Sequence, residues 1–117
     1  MDFEKKEPVY LQIASYILKG IVRKKWKEEQ RIPSVREMAV LIKVNPNTVV
    51  RSYNYLQAKD IIYNQSGIGY FVKPGIFEKV QEIVREDFKK KFIPRITEML
   101  ELLQMSPQEL ADLLKQH

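Results

Sequence analysis

Cysteine is absent from the 117 residues, and histidine occurs once, as His117 at the end of the chain. Without cysteine there is no disulfide framework and no thiolate metal site. Without a second histidine there is no imidazole pair to hold a metal, and a terminal residue that frays is a poor base for a Ser–His arrangement. Glycine is scarce at four residues, and none builds a phosphate-cradling loop. No apolar run approaches the roughly 20 residues of a membrane span. The opening Met-Asp-Phe-Glu-Lys-Lys lacks the apolar region of a signal peptide. These absences argue against an enzyme, call for no metal or cofactor, and make a cytoplasmic location the expectation.

What is present is ordinary globular material, 44% hydrophobic and 30% charged, with length for one domain and an appendage. The net charge of +5 is unevenly placed. Residues 1–75 hold 13 Lys/Arg against 7 Asp/Glu, whereas residues 76–117 hold 7 against 8. The basic excess lies wholly in the first part, as expected where a nucleic-acid module is joined to an oligomerisation or sensing module. The alternative is chance clustering on a moderately basic surface.

Two helix-start signals stand 11 residues apart in that basic part. Ser34-Val35-Arg36-Glu37 is a capping box, and Asn45-Pro46 offers an N-cap followed by proline in the first turn. They predict a short helix from Ser34 to about Ile42, a tight turn, and a second helix from Pro46 to about Ala58. That is a helix-turn-helix, whose second helix reads DNA. Val49, Tyr53 and Leu56 form its core face. Asn47, Arg51 and Asn54 lie opposite, flanked by Thr48 and Tyr55. Such a stripe suits base-edge and phosphate contacts. A merely solvated face would favour Ala, Glu or Lys over the weak helix formers Asn and Thr.

An amphipathic helix from Pro8 to about Lys25 precedes the motif, with Tyr10, Ala14, Ile17 and Ile21 at helical spacing. Gly20 is a mild local cost in it. Trp26 is expected to lid the core, base stacking being the sharper alternative. Gln30-Arg31-Ile32 reads as a brief strand. Ile61–Asn64 and Gly69–Val72 read as a hairpin about the turn Gln65–Ile68, in the position of a wing. Gly67 and Gly69 either let backbone approach a phosphate or minor groove, or are ordinary turn glycines.

Lys73-Pro74-Gly75 reads as a linker between a domain at 1–73 and a helical segment at 76–117. Apolar residues then recur at helical spacing to residue 103, with Pro94 the expected kink. Ser106-Pro107-Gln108-Glu109 is another capping box, opening a last helix that should bury Leu110, Leu113 and Leu114. The segment is too short to enclose a core alone, so its stripe needs either a second copy or the first domain. Dimerisation is the preferred reading, through Val80, Val84, Phe88, Phe92, Ile96, Leu100, Leu103, Leu110 and Leu114.

Ordered in this way, the chain resembles the GntR family of bacterial transcription regulators. The resemblance rests on Pro8-Val-Tyr-Leu-Gln-Ile13, Ile32-Pro-Ser-Val-Arg-Glu-Met-Ala39, Val44-Asn-Pro-Asn-Thr-Val49 and Gly67-Ile-Gly-Tyr-Phe-Val72. Arg51-Ser-Tyr53 and the short helical tail resemble the YtrA-like subfamily. The fold so implied is mainly α with a small β wing: a winged helix-turn-helix followed by a two-helix dimerisation segment. The resemblance further implies DNA contacts at Arg36, Asn47, Thr48 and Arg51, and at Ser66 and Gly67 in the wing. It also suggests genes near ABC transporters. Three positions depart from the pattern: Val50 stands where many relatives have Arg, Glu28-Glu29 replaces a Pro-Gly turn, and Asp60 stands where Gly is often found.

The expectation is a homodimeric, sequence-specific regulator, a repressor, on an inverted-repeat operator in double-stranded DNA. Lys5, Lys6, Arg31 and Lys73 are weaker phosphate candidates. The rival is a winged-helix module that binds protein instead, which would want an apolar exposed face on the second helix. A small-molecule effector would sit between tail and winged domain or at the dimer seam. Phe77, Phe88 and Phe92 are the aromatics to line such a pocket, although aromatics at this spacing are more often core.

Overall fold

The computed structural model of the chain describes residues 7–117, so Lys5 and Lys6 lie outside the described residues. Helix α1 spans Val9–Val22, α2 Val35–Ile42 and α3 Pro46–Ala58. Strands β1, Ile62–Gln65, and β2, Gly69–Val72, pair antiparallel with Ile62 opposite Val72 and Gln65 opposite Gly69. Helix α4 is Phe77–Asp87. A π-helical stretch, Phe88–Phe92, leads into α5, Ile93–Leu103, and α6 is Pro107–Gln116. The fold is thus mainly helical with a two-stranded wing.

The caps read from the sequence are formed. The Ser34 hydroxyl accepts the Glu37 N–H at 3.1 Å, while the Glu37 carboxylate accepts the Ser34 N–H at 2.8 Å. Asn45 accepts the Asn47 N–H at 2.8 Å ahead of Pro46. Between α2 and α3 the chain turns at Lys43, which takes a left-handed φ of 56° so that the Val44 N–H closes on the Ala39 carbonyl at 3.0 Å. Asp60 ends α3 in the same left-handed way, at φ 59°.

Helix α1 stops earlier than its apolar spacing suggests. Lys24 adopts φ 61°, and the Lys25 N–H reaches back to the Gly20 carbonyl at 2.8 Å. That reversal folds Trp26 onto Gly20, where a Cβ would stand 2.6 Å from the indole Cε3. Gly20 is therefore no idle cost: the absence of a side chain lets the indole close the core.

The core lies where α1, α2 and α3 meet the wing. Ile17, Met38, Val49, Tyr53, Leu56 and Val72 are all sealed from solvent. The strand expected at Gln30–Ile32 is a single bridge from Arg31 to Phe71, backed by the Ile32 N–H to the Tyr70 carbonyl at 2.9 Å.

The chain divides into two compact units between Val84 and Arg85. Ile76, just ahead of α4, and Val80 within it are buried in the core of the first unit, beyond the linker at 73–75. Val80 is consequently not available to a partner, which corrects its assignment to a dimer seam. In the second unit the helix changes register beside Pro94, which lacks an N–H: the Ile93 N–H bonds the Phe88 carbonyl five residues back. Leu113 and Leu114 are exposed and only Leu110 is half-buried, so α6 does not bury all three leucines within the chain. Phe88 and Phe92 likewise stack on each other, centroids 6.0 Å apart, with both rings exposed rather than in a core.

Candidate nucleic-acid interface

Helix α3 is amphipathic by construction. At 100° per residue, Val49, Tyr53 and Leu56 converge on one side and are fully buried, which turns Asn47, Val50, Arg51 and Asn54 outward. These four occupy a stripe of roughly 100°, with Val50 on one edge, Arg51 on the other, and Asn47 and Asn54 between. Thr48 flanks the stripe half-buried, and its carbonyl accepts the Ser52 hydroxyl at 3.2 Å. The first turn of α3 adds the positive end of the helix dipole.

Two buried hydroxyls set the orientation of this helix. Ser52 is sealed from solvent and donates to the Tyr10 carbonyl of α1 at 2.6 Å. Tyr53 donates to the Pro33 carbonyl, ahead of α2, at 2.6 Å, and its ring meets Tyr70 of β2 edge-on at 4.8 Å. Burial pushes the Tyr53 phenol well above its ordinary range, so it remains a donor at any working pH. A serine and a tyrosine thus tie α3 to α1, to the start of α2 and to the wing.

Arg51 does not wave freely. Its guanidinium carbon lies 4.0 Å from the centroid of the Tyr10 ring, and that ring stands edge-on to Tyr55 at 6.0 Å. Tyr10, which helical spacing places among core residues, is therefore half-exposed and serves as a shelf for an arginine of the stripe. Arg36 is exposed in the first turn of α2, with no hydrogen-bond or ion-pair partner among the described residues.

The wing turn is closed by the Ile68 N–H on the Gln65 carbonyl at 2.9 Å, with Ser66 and Gly67 exposed at its tip. Gly67 has φ 77° and open space where a Cβ would be, so backbone conformation and not crowding selects glycine there. Gly69 combines a positive φ of 141° with a close approach. A Cβ on it would stand 2.7 Å from Nε of Arg31, which crosses the wing backbone and pairs with Glu37 at 3.6 Å. Arg31 thus joins the wing to the start of α2, a stronger position than its place in sequence suggests. Lys73 pairs with Asp60 at 3.5 Å.

Behind the wing, Glu28 answers the missing Pro-Gly turn. Glu29 takes φ 65°, and the Glu28 carboxylate accepts the Phe77 N–H at 3.0 Å, at the start of α4. That bond, with another from the backbone of Gly75, holds the Glu28 carboxyl below its usual range. Lys24 covers the Phe77 ring at 5.1 Å, and the two line an open cavity of about 450 Å³ with Ile21, Trp26, Lys27 and Glu28.

The model of the family described as bacterial regulatory proteins, gntR family, matches residues 9–72. The chain is 34% identical over 100 residues to the uncharacterized HTH-type transcriptional regulator YhcF of Bacillus subtilis, covering 84% of this chain and 83% of that one. It is 33% identical over 101 residues to the HTH-type transcriptional repressor YtrA of the same organism, covering 80% and 75%. Among solved structures, a GntR family transcriptional regulator from Listeria monocytogenes superposes with a TM-score of 0.75 at 26% identity, covering 98% of this chain and 99% of that one. AraR(DBD) in complex with operator ORR3 superposes with a TM-score of 0.58 at 26% identity, covering 62% and 87%.

Proposed function

This chain belongs to the gntR family of bacterial regulatory proteins, and from that premise we propose that it is a homodimeric repressor that reads an inverted-repeat operator through α3. Membership makes it a transcription regulator and not an enzyme. The observation that carries the finer reading is the outward stripe of Asn47, Arg51 and Asn54 on a helix whose opposite face is locked into the core. AraR, a neighbour in fold, is solved on an operator, and the relative YtrA is named a repressor. Each protomer would lay α3 in a major groove, with Ser66 and Gly67 of the wing against the adjacent backbone or minor groove. Arg36 and Arg51 would reach guanine or phosphate, while Asn47 and Thr48 would fix register. A protein acting on chromosomal DNA works in the cytoplasm, and no described helix is long and apolar enough to cross a membrane.

Dimerisation is supported by the second unit. Of residues 85–117 none is buried, yet Phe88, Phe92, Leu103 and Leu114 are large, apolar and exposed. Such a surface marks an interface, and a symmetric copy presents the matching face. The seam would be built from Phe88, Phe92, Ile96, Leu100, Leu103, Leu110 and Leu114, with Val84 at its margin. A small-molecule effector, if one acts, would enter along this seam.

The test is selection of bound fragments from the source genome, followed by titration of Arg36→Ala and Arg51→Ala on the selected site. A bidentate base contact supplies about 1–3 kcal/mol of discrimination, so each variant should lose roughly fivefold or more on that site. Unchanged binding by both variants would sink the reading.

A further inference from the structure

We propose that Val50 reads the C5-methyl group of one thymine in each half-site, which makes it a specificity-determining residue; the inference rests on α3 being the DNA-reading helix. Val50 is 39% exposed and is not among the side chains packed against the core. It shares the outward stripe with Asn47, Arg51 and Asn54, at i−3, i+1 and i+4 on the helix. A solvated position there gains nothing from valine, which is a poorer helix former than Ala, Lys or Glu and leaves apolar surface in water.

Against the floor of a major groove the same side chain has one good partner. Valine neither donates nor accepts a hydrogen bond. Guanine N7 and O6, adenine N7 and N6, and cytosine N4 all present polar atoms that valine would strip of water without replacement. Thymine alone presents a methyl group there. Branching at Cβ holds Val50 in essentially one χ1 rotamer on a helix, so its methyls are placed before DNA arrives. Arg51, on the opposite edge, is drawn toward Tyr10 of α1. The stripe therefore divides its work: Arg51 supplies charge and donors at one edge, and Val50 supplies a dry contact at the other.

The experiment replaces each thymine of the genome-selected site in turn by uracil, which removes only the methyl, and measures Kd for wild type, Val50→Ala and Arg51→Ala. Burial of one methyl corresponds to roughly fourfold in affinity. One thymine in each half-site should lose about that factor with wild type when replaced, and clearly less with Val50→Ala, whose thermal midpoint should match wild type. Uracil effects that are equal for wild type and Val50→Ala, or absent at every position, overturn the inference. If Arg51→Ala also binds the site like wild type, the reading role of α3 itself has failed; if Arg51→Ala loses binding, only the assignment of Val50 has.

Discussion

The guanidinium of Arg51 rests 4.0 Å above the ring of Tyr10, so a residue of α1 presets an arginine of the outward stripe of α3. A cation over an aromatic face contributes about 0.5–1 kcal/mol at an exposed site and more when water is excluded, as it would be against DNA. Tyr10→Leu is therefore expected to weaken binding to the selected site by roughly fivefold, and Tyr10→Phe to leave it nearly unchanged. The loss should vanish in an Arg51→Ala background. Equal losses with and without Arg51 would mean that Tyr10 acts on its own.

Gly20 and Trp26 give a packing prediction. Alanine would ordinarily help a helix by about 0.5–1 kcal/mol, but here its Cβ would stand 2.6 Å from a ring that is itself buried. Overpacking of that kind costs about 1–3 kcal/mol, so the net change for Gly20→Ala is a destabilisation of about 1–2 kcal/mol. Trp26 is the one tryptophan in the chain, so its fluorescence should shift to the red as the ring is displaced. A higher urea midpoint with an unshifted spectrum would contradict this.

The parts legible in the sequence are those governed by near neighbours. Ser34 with Glu37, Asn45 with Pro46, and Ser106 with Glu109 each carry their cap within a turn, and each forms as expected. The face of α3 was readable for the same reason, since helical spacing alone separates Val49, Tyr53 and Leu56 from Asn47, Arg51 and Asn54. What was not legible depends on partners far along the chain. Ser52 meets Tyr10 across 42 residues, and Glu28 meets Phe77 across 49. No local pattern announces that Tyr10 is a shelf, that Gly69 makes room for Arg31, or that Val80 belongs to the first core. Glycine and apolar spacing are degenerate signals until the fold says what lies opposite.

Glu28 and Glu37 predict an acid-side effect. Both accept backbone N–H bonds, from Phe77 at 3.0 Å and from Ser34 at 2.8 Å, and both carboxyls are held below their usual range, chiefly by those bonds. The folded state thus favours the ionised forms. The stabilisation is complete above the ordinary carboxyl range and is lost as pH falls through the lowered folded values. Glu28→Gln and Glu37→Gln should each lower the thermal midpoint near pH 7, and the difference from wild type should shrink as the pH falls below the ordinary carboxyl range. A gap of constant size across that window would show that the carboxylate charge plays no part.

Leu103 and Leu114 carry the last prediction. They are 59% and 67% exposed in a protomer of 13.9 kDa, so a charge at either position leaves the first unit's core untouched. The double variant Leu103→Glu, Leu114→Glu is expected to sediment as a monomer with an unchanged helical spectrum, whereas wild type should run at twice the protomer mass. On the proposed reading, loss of the dimer would separate two copies of α3 that engage half-sites about one turn of DNA apart as a single unit. The variant should therefore bind one half-site as well as wild type does and lose at least tenfold on the full inverted repeat. Wild type that sediments as a monomer at concentrations where it saturates its operator would overturn the dimer.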